Sequence, residues 1–423
     1  MQWSPKQDQA ISAVQEWLST KGSARQWFYL AGYAGTGKTT LAKELASSVS
    51  GQVFFAAFTG KAAKVLQQKG CPGACTLHSL IYKPKDKSKE RLAHLQEDLD
   101  IIVKEIIFEH GGDSASLECQ SAIAASQLAQ KAREAIEAEQ QGLKRPAFEL
   151  NLDSQLRRAK LLVVDEVSMV GVEMAEDLLS FDVPVLVLGD PAQLPPIYGA
   201  GYFTKEEPDI LLTEIHRQAR DNPIIDLATR VREGRGIELG EYGDSRVIDI
   251  SDGKPEMYLS HDQILCGREN PAKNGCDNVY RANINRRVHS LLGHEGPYPV
   301  PGDKLVCLRN NRELGLLNGG MWRVLESQLV GDEVAMTLES EEGLVLSLNA
   351  HAKIFRGEEL QFYEMKNAEH FCLGYALTVH KSQGSQWDSV LLFDQSRIFR
   401  QDAAKHLYTG LTRAADRVTV IRA

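Results

Sequence analysis

Eight residues, Gly32-Tyr33-Ala34-Gly35-Thr36-Gly37-Lys38-Thr39, carry the pattern of a loop that wraps phosphate groups. Its glycines let successive backbone N–H groups turn toward an anion. Lys38 supplies a positive charge to the β- and γ-phosphates of a nucleoside triphosphate, and the Thr39 hydroxyl suits magnesium. The loop follows the apolar run WFYLA at 27–31 and precedes the helix-forming TLAKELASSV. That strand-to-helix setting makes a chance glycine-rich turn a poor alternative.

A second group lies behind another apolar run, LLVVD at 161–165, where Asp165 and Glu166 place two carboxylates at a strand's carboxyl edge. Asp165 suits magnesium, and Glu166 suits activation of an attacking water. An isolated Asp-Glu pair is more often a solvated turn; its place after a buried strand in a chain with a phosphate loop favours catalysis. Gln193, in Gly189-Asp190-Pro191-Ala192-Gln193-Leu194-Pro195-Pro196, can contact the γ-phosphate or the attacking water and so distinguish ATP from ADP. The bland alternative there is a proline-stiffened loop. Arg217, in LTEIHRQ, and Arg413, in LYTGLTRAADRV, are candidates for stabilising transition-state charge.

These groups need a scaffold, and the spacing of apolar runs supplies one. WFYLA, VFFAAF at 53–58, LLVVD and VLVLGD at 185–190 alternate with helical stretches, as in parallel α/β sheets. A second set, FCLGYAL at 371–377, SVLLFD at 389–394 and VTVIR at 418–422, predicts a second α/β domain. Between Lys83 and Gln141 the chain turns polar and helix-forming around a Gly111-Gly112-Asp113 turn, which predicts an inserted helical hairpin. From Pro299 to His370 the runs KLVCL, MWRVLES, EVAMTLES and LVLSL alternate with glycine and charged turns, which predicts an inserted small β-barrel.

Composition sets outer bounds. A chain of 423 residues is long enough for two to four domains, and no apolar run approaches the ~20 residues that span a bilayer. A membrane role is not expected. The start MQWSPKQDQA lacks the basic and apolar segments of a signal peptide, so an intracellular, cytoplasmic location is expected. The 7 cysteines are odd in number and scattered, against a disulfide framework. Cys71 and Cys75 lack a second pair or histidines at finger spacing, so a plain loop is favoured over zinc there. A formal charge of −9 disfavours nucleic acid only weakly, because a local basic groove can hold phosphates on an acidic protein.

Taken in order, these segments resemble superfamily 1 helicases, and in detail the RecD-like and phage Dda-like class that moves 5′ to 3′. Residues 32–40, through Thr40, resemble motif I; AFTGKAA at 57–63 resembles motif Ia, and TLHSL at 76–80 the DNA-contacting motif after it. VVDEVSMV at 163–170 is similar to motif II, GDPAQLPPI at 189–197 to motif III, and the Arg217 segment to motif IV. LTVHKSQGSQWDSV at 377–390 is similar to motif V and YTGLTRA at 408–414 to motif VI. GDKLVCLRNNRELGLLNGG at 302–320 resembles the opening of the barrel that RecD-like helicases insert before motif V.

The resemblance implies an α/β fold of two RecA-like P-loop domains, the first at 1–82 and 150–215 and the second at 216–298 and 371–423. A pin hairpin carrying helices is expected at 83–149 and an SH3-like β-barrel at 299–370. It also implies that Gln7 reads adenine, and that Thr59, Lys61, His78, Thr378, His380 and Lys381 line a single-strand groove. Lysines and short hydroxyls suit phosphate, and imidazoles suit phosphate or a base face. The implied cofactors are ATP and Mg2+. The implied partners are single-stranded and duplex-junction DNA and replication or recombination proteins, for a phage- or bacteria-like monomer. Family members carry a short pin hairpin; here LIYKPK and PAFELNLD could be its strands, with Phe148 as the pin candidate, but about sixty residues of helical signature intervene. The rival reading is a DNA-stimulated ATPase that remodels or loads other proteins with little unwinding.

Overall fold

The computed structural model describes residues 3–20, 25–84, 89–109, 116–144, 148–195, 201–214, 222–270, 279–309, 311, 314, 316, 318–341, 343–358, 360 and 369–422. Arg217, the Gly111-Gly112-Asp113 turn and the end of the GDPAQLPPI segment lie outside them. The chain divides into two compact units, Met1–Leu80 with Gln155–Ala423, and Ile81–Ser154. Among the described residues no helix is long and apolar enough to cross a membrane.

In chain order the first strands are β1 (Trp27–Gly32), β2 (Val53–Ala57) and β3 (Cys75–Thr76). Next come β4 (Tyr82–Pro84) and β5 (Phe148–Leu150), followed by β6 (Leu161–Asp165), β7 (Val185–Gly189) and β8 (Ile210–Leu212). Strands β3-β2-β6-β7-β1-β8 form one sheet, parallel throughout. Every residue of β1 and β7 is buried, which explains why they read as continuous apolar runs and not as alternating ones. The helix Pro5–Ser19 packs Ala10 and Val14 into the core of this sheet. Its start is set by a capping box in which Ser4 and Gln7 exchange hydrogen bonds, with Pro5 in the first turn.

A second sheet takes β9 (Gly240–Tyr242), β10 (Ser245–Asp249) and β11 (Gln263–Cys266) from the middle of the chain. A third interrupts it, built from β12 (Lys304–Cys307), β13 (Met321–Val330), β14 (Glu333–Ser340), β15 (Val345–His351) and β16 (Phe371–Leu373). The chain then returns to the second sheet with β17 (Ala376–Thr378), β18 (Trp387–Asp394) and β19 (Ala414–Arg422). The second sheet runs β17-β11-β18-β19-β10-β9 and is parallel except at β9.

The third sheet, β15-β14-β13-β12-β16, is antiparallel around Trp322, Val324, Met336 and Phe371. A bridge between Ala350 and Glu369 brings its two edges toward each other. Asp303, fully buried at its entry, accepts from Val300 N (2.7 Å) and the Tyr375 hydroxyl (2.5 Å), and pairs with His289 Nε2 and His294 Nδ1 at 3.0 Å each. Because His289 lies on the helix Arg281–Leu291 and Tyr375 precedes β17, this carboxylate fastens the third sheet to the second.

In the smaller unit β4 and β5 pair antiparallel, Tyr82 with Leu150 and Pro84 with Phe148. Between them lie three helices, Lys89–Glu109, Leu117–Ala125 and Gln127–Lys144, where the sequence predicts two. The extra break falls at Ser126, whose hydroxyl accepts from Ala129 N and starts the third helix.

Candidate functional site

Strands β6, β7 and β1 are neighbours, and the phosphate-loop pattern, Asp165-Glu166 and Gly189-Asp190 all follow their carboxyl ends. Gly35 and Gly37 both have φ of 77°, a left-handed conformation that glycine adopts without strain. At Gly32 a Cβ would come within 2.6 Å of Thr36 Oγ1 and 3.0 Å of both Leu212 Cβ and Lys38 Cγ, so the loop closes tightly there. The chain passes directly into the helix Lys38–Ser47, whose N-terminus carries no side-chain cap and whose first backbone N–H groups could receive an anion. This cradle fits a triphosphate.

Around that loop Lys38 Nζ donates to Gly32 O (2.5 Å) and Tyr33 O (3.1 Å). Thr39 Oγ1 donates to Asp165 Oδ2 at 3.1 Å, bringing together the two oxygens that could hold magnesium. Thr36 is buried and its hydroxyl bonds Tyr33 O, whereas Thr40 is exposed. Gln7 is 2% exposed; its amide accepts from Ser4 N and donates to Thr36 O, so it caps a helix and props the loop.

Glu166 adopts φ 54° and ψ 42°, a left-handed conformation that costs a non-glycine residue ~1–3 kcal/mol and is concentrated at functional sites. Burial pushes its carboxyl above the ordinary range; the Arg413 guanidinium is the largest opposing influence, and Asp165 pushes the same way as burial. Arg413 is 5% exposed and donates to Thr409 O (3.1 Å), Ser385 O (3.2 Å) and Thr412 Oγ1 (3.3 Å). A residue just before β19 thus opposes the effect of burial on a carboxylate just after β6. Gln193 is buried, and among the described residues its Oε1 has no partner.

Sequence reasoning missed the contacts that hold these parts together. The Tyr408 hydroxyl donates to Asp190 Oδ2 (2.7 Å) and accepts from Ala34 N (3.0 Å). Leu194 N donates to Thr409 Oγ1, and Gln383 Nε2 donates to Leu194 O, both at 3.0 Å. Tyr408, Thr409 and Gln383 sit inside the two segments singled out for Arg413 and Lys381, which marks the segments but not the partners of these three side chains.

The groove candidates fall into two groups. Thr59 caps the helix Gly60–Gln68, its hydroxyl accepting from Ala62 N at 3.2 Å, and Lys61 follows in the first turn. Thr378 ends β17 and His380 and Lys381 occupy the turn after it, where Thr378 Oγ1 accepts from Lys381 N. The groups meet at Gly384, whose missing side chain leaves room for Thr59 Oγ1 at 2.9 Å from its Cβ position. His78 lies on the short helix Leu77–Ile81 after β3.

Both lysines face carboxylates. Lys61 Nζ lies 3.6 Å from Glu341 of the third sheet and 4.7 Å above the Trp387 ring, and Lys381 Nζ lies 3.1 Å from both oxygens of Glu269. Burial lowers the His380 imidazole, which stays neutral beside Phe399. Phe148 is 41% exposed on β5. Cys71 and Cys75 form no disulfide, and among the described residues the one potential metal-binding trio is His289, His294 and Asp303.

Residues 2–252 match the family model of the AAA domain, and residues 373–421 match that of the UvrD-like helicase C-terminal domain. The ATP-dependent RecD2 DNA helicase of Deinococcus radiodurans is 30% identical over 279 residues, which is 61% of this chain and 35% of that protein. The ATP-dependent DNA helicase Pif1 of Bdellovibrio bacteriovorus is 23% identical over 64% of this chain and 67% of its own length. The match thus spans about a third of the RecD2 protein. Among solved structures, Bacteroides Pif1 bound to ssDNA and Candida albicans Pif1 each align at a TM-score of 0.50 and 17% identity. They cover 99% and 100% of this chain and 92% and 94% of theirs, which establishes a shared fold. With the AAA-domain model covering more than half of the sequence and the phosphate loop, Asp165-Glu166 and Arg413 arranged as above, the chain belongs to the AAA-domain family, and it is similar within it to the RecD2 and Pif1 helicases.

Proposed function

We propose that the chain hydrolyses ATP to move 5′ to 3′ along single-stranded DNA and to separate duplexes. The observation that carries this reading is geometric: the helix Ala403–Leu411 beside the second sheet, which leads into Arg413, is hydrogen-bonded to the phosphate loop at Ala34 and to the Asp190–Leu194 loop of the first. Hydrolysis would then depend on how the two sheets sit together, the condition for a motor. The two parallel sheets are read as RecA-like domains and the antiparallel sheet as an SH3-like barrel.

In this reading the loop from Gly32 to Thr40 and the Lys38 ammonium hold the triphosphate, and Gln7 lies beside the adenine. Glu166 takes the proton of the attacking water, while Gln193 orients that water and Arg413, with Arg217, steadies developing charge. Thr39 and Asp165 would hold Mg2+, which neutralises phosphate charge when bound. Thr59, Lys61, His78, Thr378, His380 and Lys381 are assigned to the strand. RecD2 and Pif1, named as DNA helicases, support DNA over RNA.

The test is strand displacement on duplexes with a 5′ or a 3′ single-stranded tail, with ATP. Unwinding of the 5′-tailed duplex alone is the expected result. Preference for the 3′ tail would overturn the direction. DNA-stimulated hydrolysis without displacement of either would leave a remodelling ATPase as the better reading.

A further inference from the structure

Tyr408 lies on the helix Ala403–Leu411, belongs to none of the assigned catalytic positions, and is 2% exposed. Both hydrogen bonds of its hydroxyl leave its own sheet. It donates to Asp190 Oδ2 at 2.7 Å, after β7, and accepts at 3.0 Å from the backbone N–H of Ala34, inside the phosphate loop. Burial, with Asp190 beside it, holds the phenol well above its ordinary range, so it stays a neutral donor. Its single proton goes to Asp190, which leaves only its oxygen lone pair for Ala34. Asp190 is 3% exposed and uses its other oxygen to accept from Ala192 N, which shapes the turn leading to Gln193.

Nearby contacts run in the same direction. The Arg232 guanidinium lies 3.7 Å over the ring of Tyr33, the residue before Ala34, and comes from the helix Pro223–Arg232 that packs in the second sheet's core. Leu194, next to Gln193, is held by Thr409 and Gln383. The loop from Asp190 to Leu194 is thus fastened to the second sheet at both ends, and Tyr408 also grips the phosphate loop.

We propose that Tyr408 is a positioning residue that senses nucleotide at the phosphate loop, its hydroxyl competing with a phosphate oxygen for the Ala34 N–H while its bond to Asp190 sets the loop that carries Gln193. The proposal rests on the ATPase reading above. Backbone N–H groups of such loops are the donors that cradle phosphates. A phosphate oxygen that takes the Ala34 N–H releases one of the phenol's two tethers and leaves the other, so occupancy of the loop is felt by the helix that precedes Arg413.

The test uses Tyr408→Phe and Asp190→Asn in the full chain, well below each variant's melting temperature. The readouts are Kd for a fluorescent ATP analogue and kcat and KM for hydrolysis with and without oligo-dT. Removing the competing hydroxyl should tighten nucleotide binding by about three- to tenfold, the worth of one net hydrogen bond. The same change should lower kcat with oligo-dT by about tenfold or more, because the Gln193 loop loses its tether. Asp190→Asn keeps the phenol at Ala34, so it should lower kcat with Kd unchanged. Weaker binding in step with lower kcat for Tyr408→Phe, or wild-type values of both, would overturn the sensing role. A wild-type chain that binds nucleotide without hydrolysing it would overturn the ATPase reading instead, and the Kd comparison would still decide the role of Tyr408.

Discussion

Gly384→Ala is expected to damage the molecule in a way that a second glycine can calibrate. Gly384 has φ of 75° and Gly357 has φ of 76°, so alanine at either pays the same left-handed penalty, roughly 1–2 kcal/mol. Around Gly357 a new Cβ meets nothing within 4 Å. Around Gly384 it meets Thr59 Oγ1 at 2.9 Å and Ala62 Cβ at 3.0 Å. Thr59 cannot swing aside freely, because its hydroxyl caps the helix Gly60–Gln68, a bond worth ~1 kcal/mol. Adding the ~1–3 kcal/mol typical of an overpacked contact, Gly384→Ala should lose about 2–4 kcal/mol more than Gly357→Ala. Thermal melting of both variants beside wild type measures the difference. Because the clash lies where the second sheet's loop meets the first sheet's helix, DNA-stimulated hydrolysis should also fall in Gly384→Ala and not in Gly357→Ala. Equal losses in the two variants would refute the reasoning, since they would mean that Thr59 and Gly384 do not press on each other.

Lys38→Ala should abolish phosphate release in an ATPase assay while circular dichroism stays that of wild type, because the ammonium meets loop carbonyls and not the apolar core. Glu166→Gln should also stop turnover, yet melt higher than wild type at neutral pH. The folded-state pKa of Glu166 is raised by burial, so its ionisation penalises folding increasingly as pH rises above the unfolded value of ~4.3, and glutamine removes that penalty. The gap in melting temperature should close as pH falls toward 4, and a gap independent of pH would count against it. In Lys381→Ala, single-strand binding measured across salt concentrations should lose about one unit of slope, modest because Glu269 already shares the ammonium. An unchanged slope would take Lys381 off the phosphate track.

What could be read in the sequence was local. Gly35 and Gly37 announce a loop because only glycine enters their φ region freely, and β1 and β7 announce buried strands because both their faces are covered. Ser4-Pro5-Lys6-Gln7 also spells a capping box, legible in the serine and the glutamine three residues apart. The break at Ser126 was of the same kind, a helix-starting serine inside an alanine-rich run that reads as one helix. What lay beyond reach was pairing across distance. Tyr408 and Ala34 are 374 positions apart, and nothing in the type or spacing of either says that a phenol from one sheet meets a backbone N–H of the other. Glu341 against Lys61 is a similar case, a turn of the third sheet facing a lysine that the sequence offers to a strand phosphate.

Under the proposed function, such pairings would supply a physical route from strand to nucleotide. Thr378, His380 and Lys381, assigned to the strand, are followed within three residues by Gln383 and Gly384, which touch the first sheet at Leu194 O and Thr59. Lys381 N bonds Thr378 Oγ1 and Ser382 N bonds Thr378 O, so the turn is stiff. A phosphate that drew Lys381 away from Glu269 would pull on this turn, and through Gln383 on Leu194, one residue from Gln193. The arrangement at Arg413 runs the other way: its guanidinium is held by Ser385 O, two residues after Gln383, and its charge lowers the Glu166 carboxyl against burial. Movement of one short segment, 378–385, would therefore change both the loop that would orient water and the charge felt by the base that would deprotonate it. Stimulation of hydrolysis by DNA needs no wire longer than that segment.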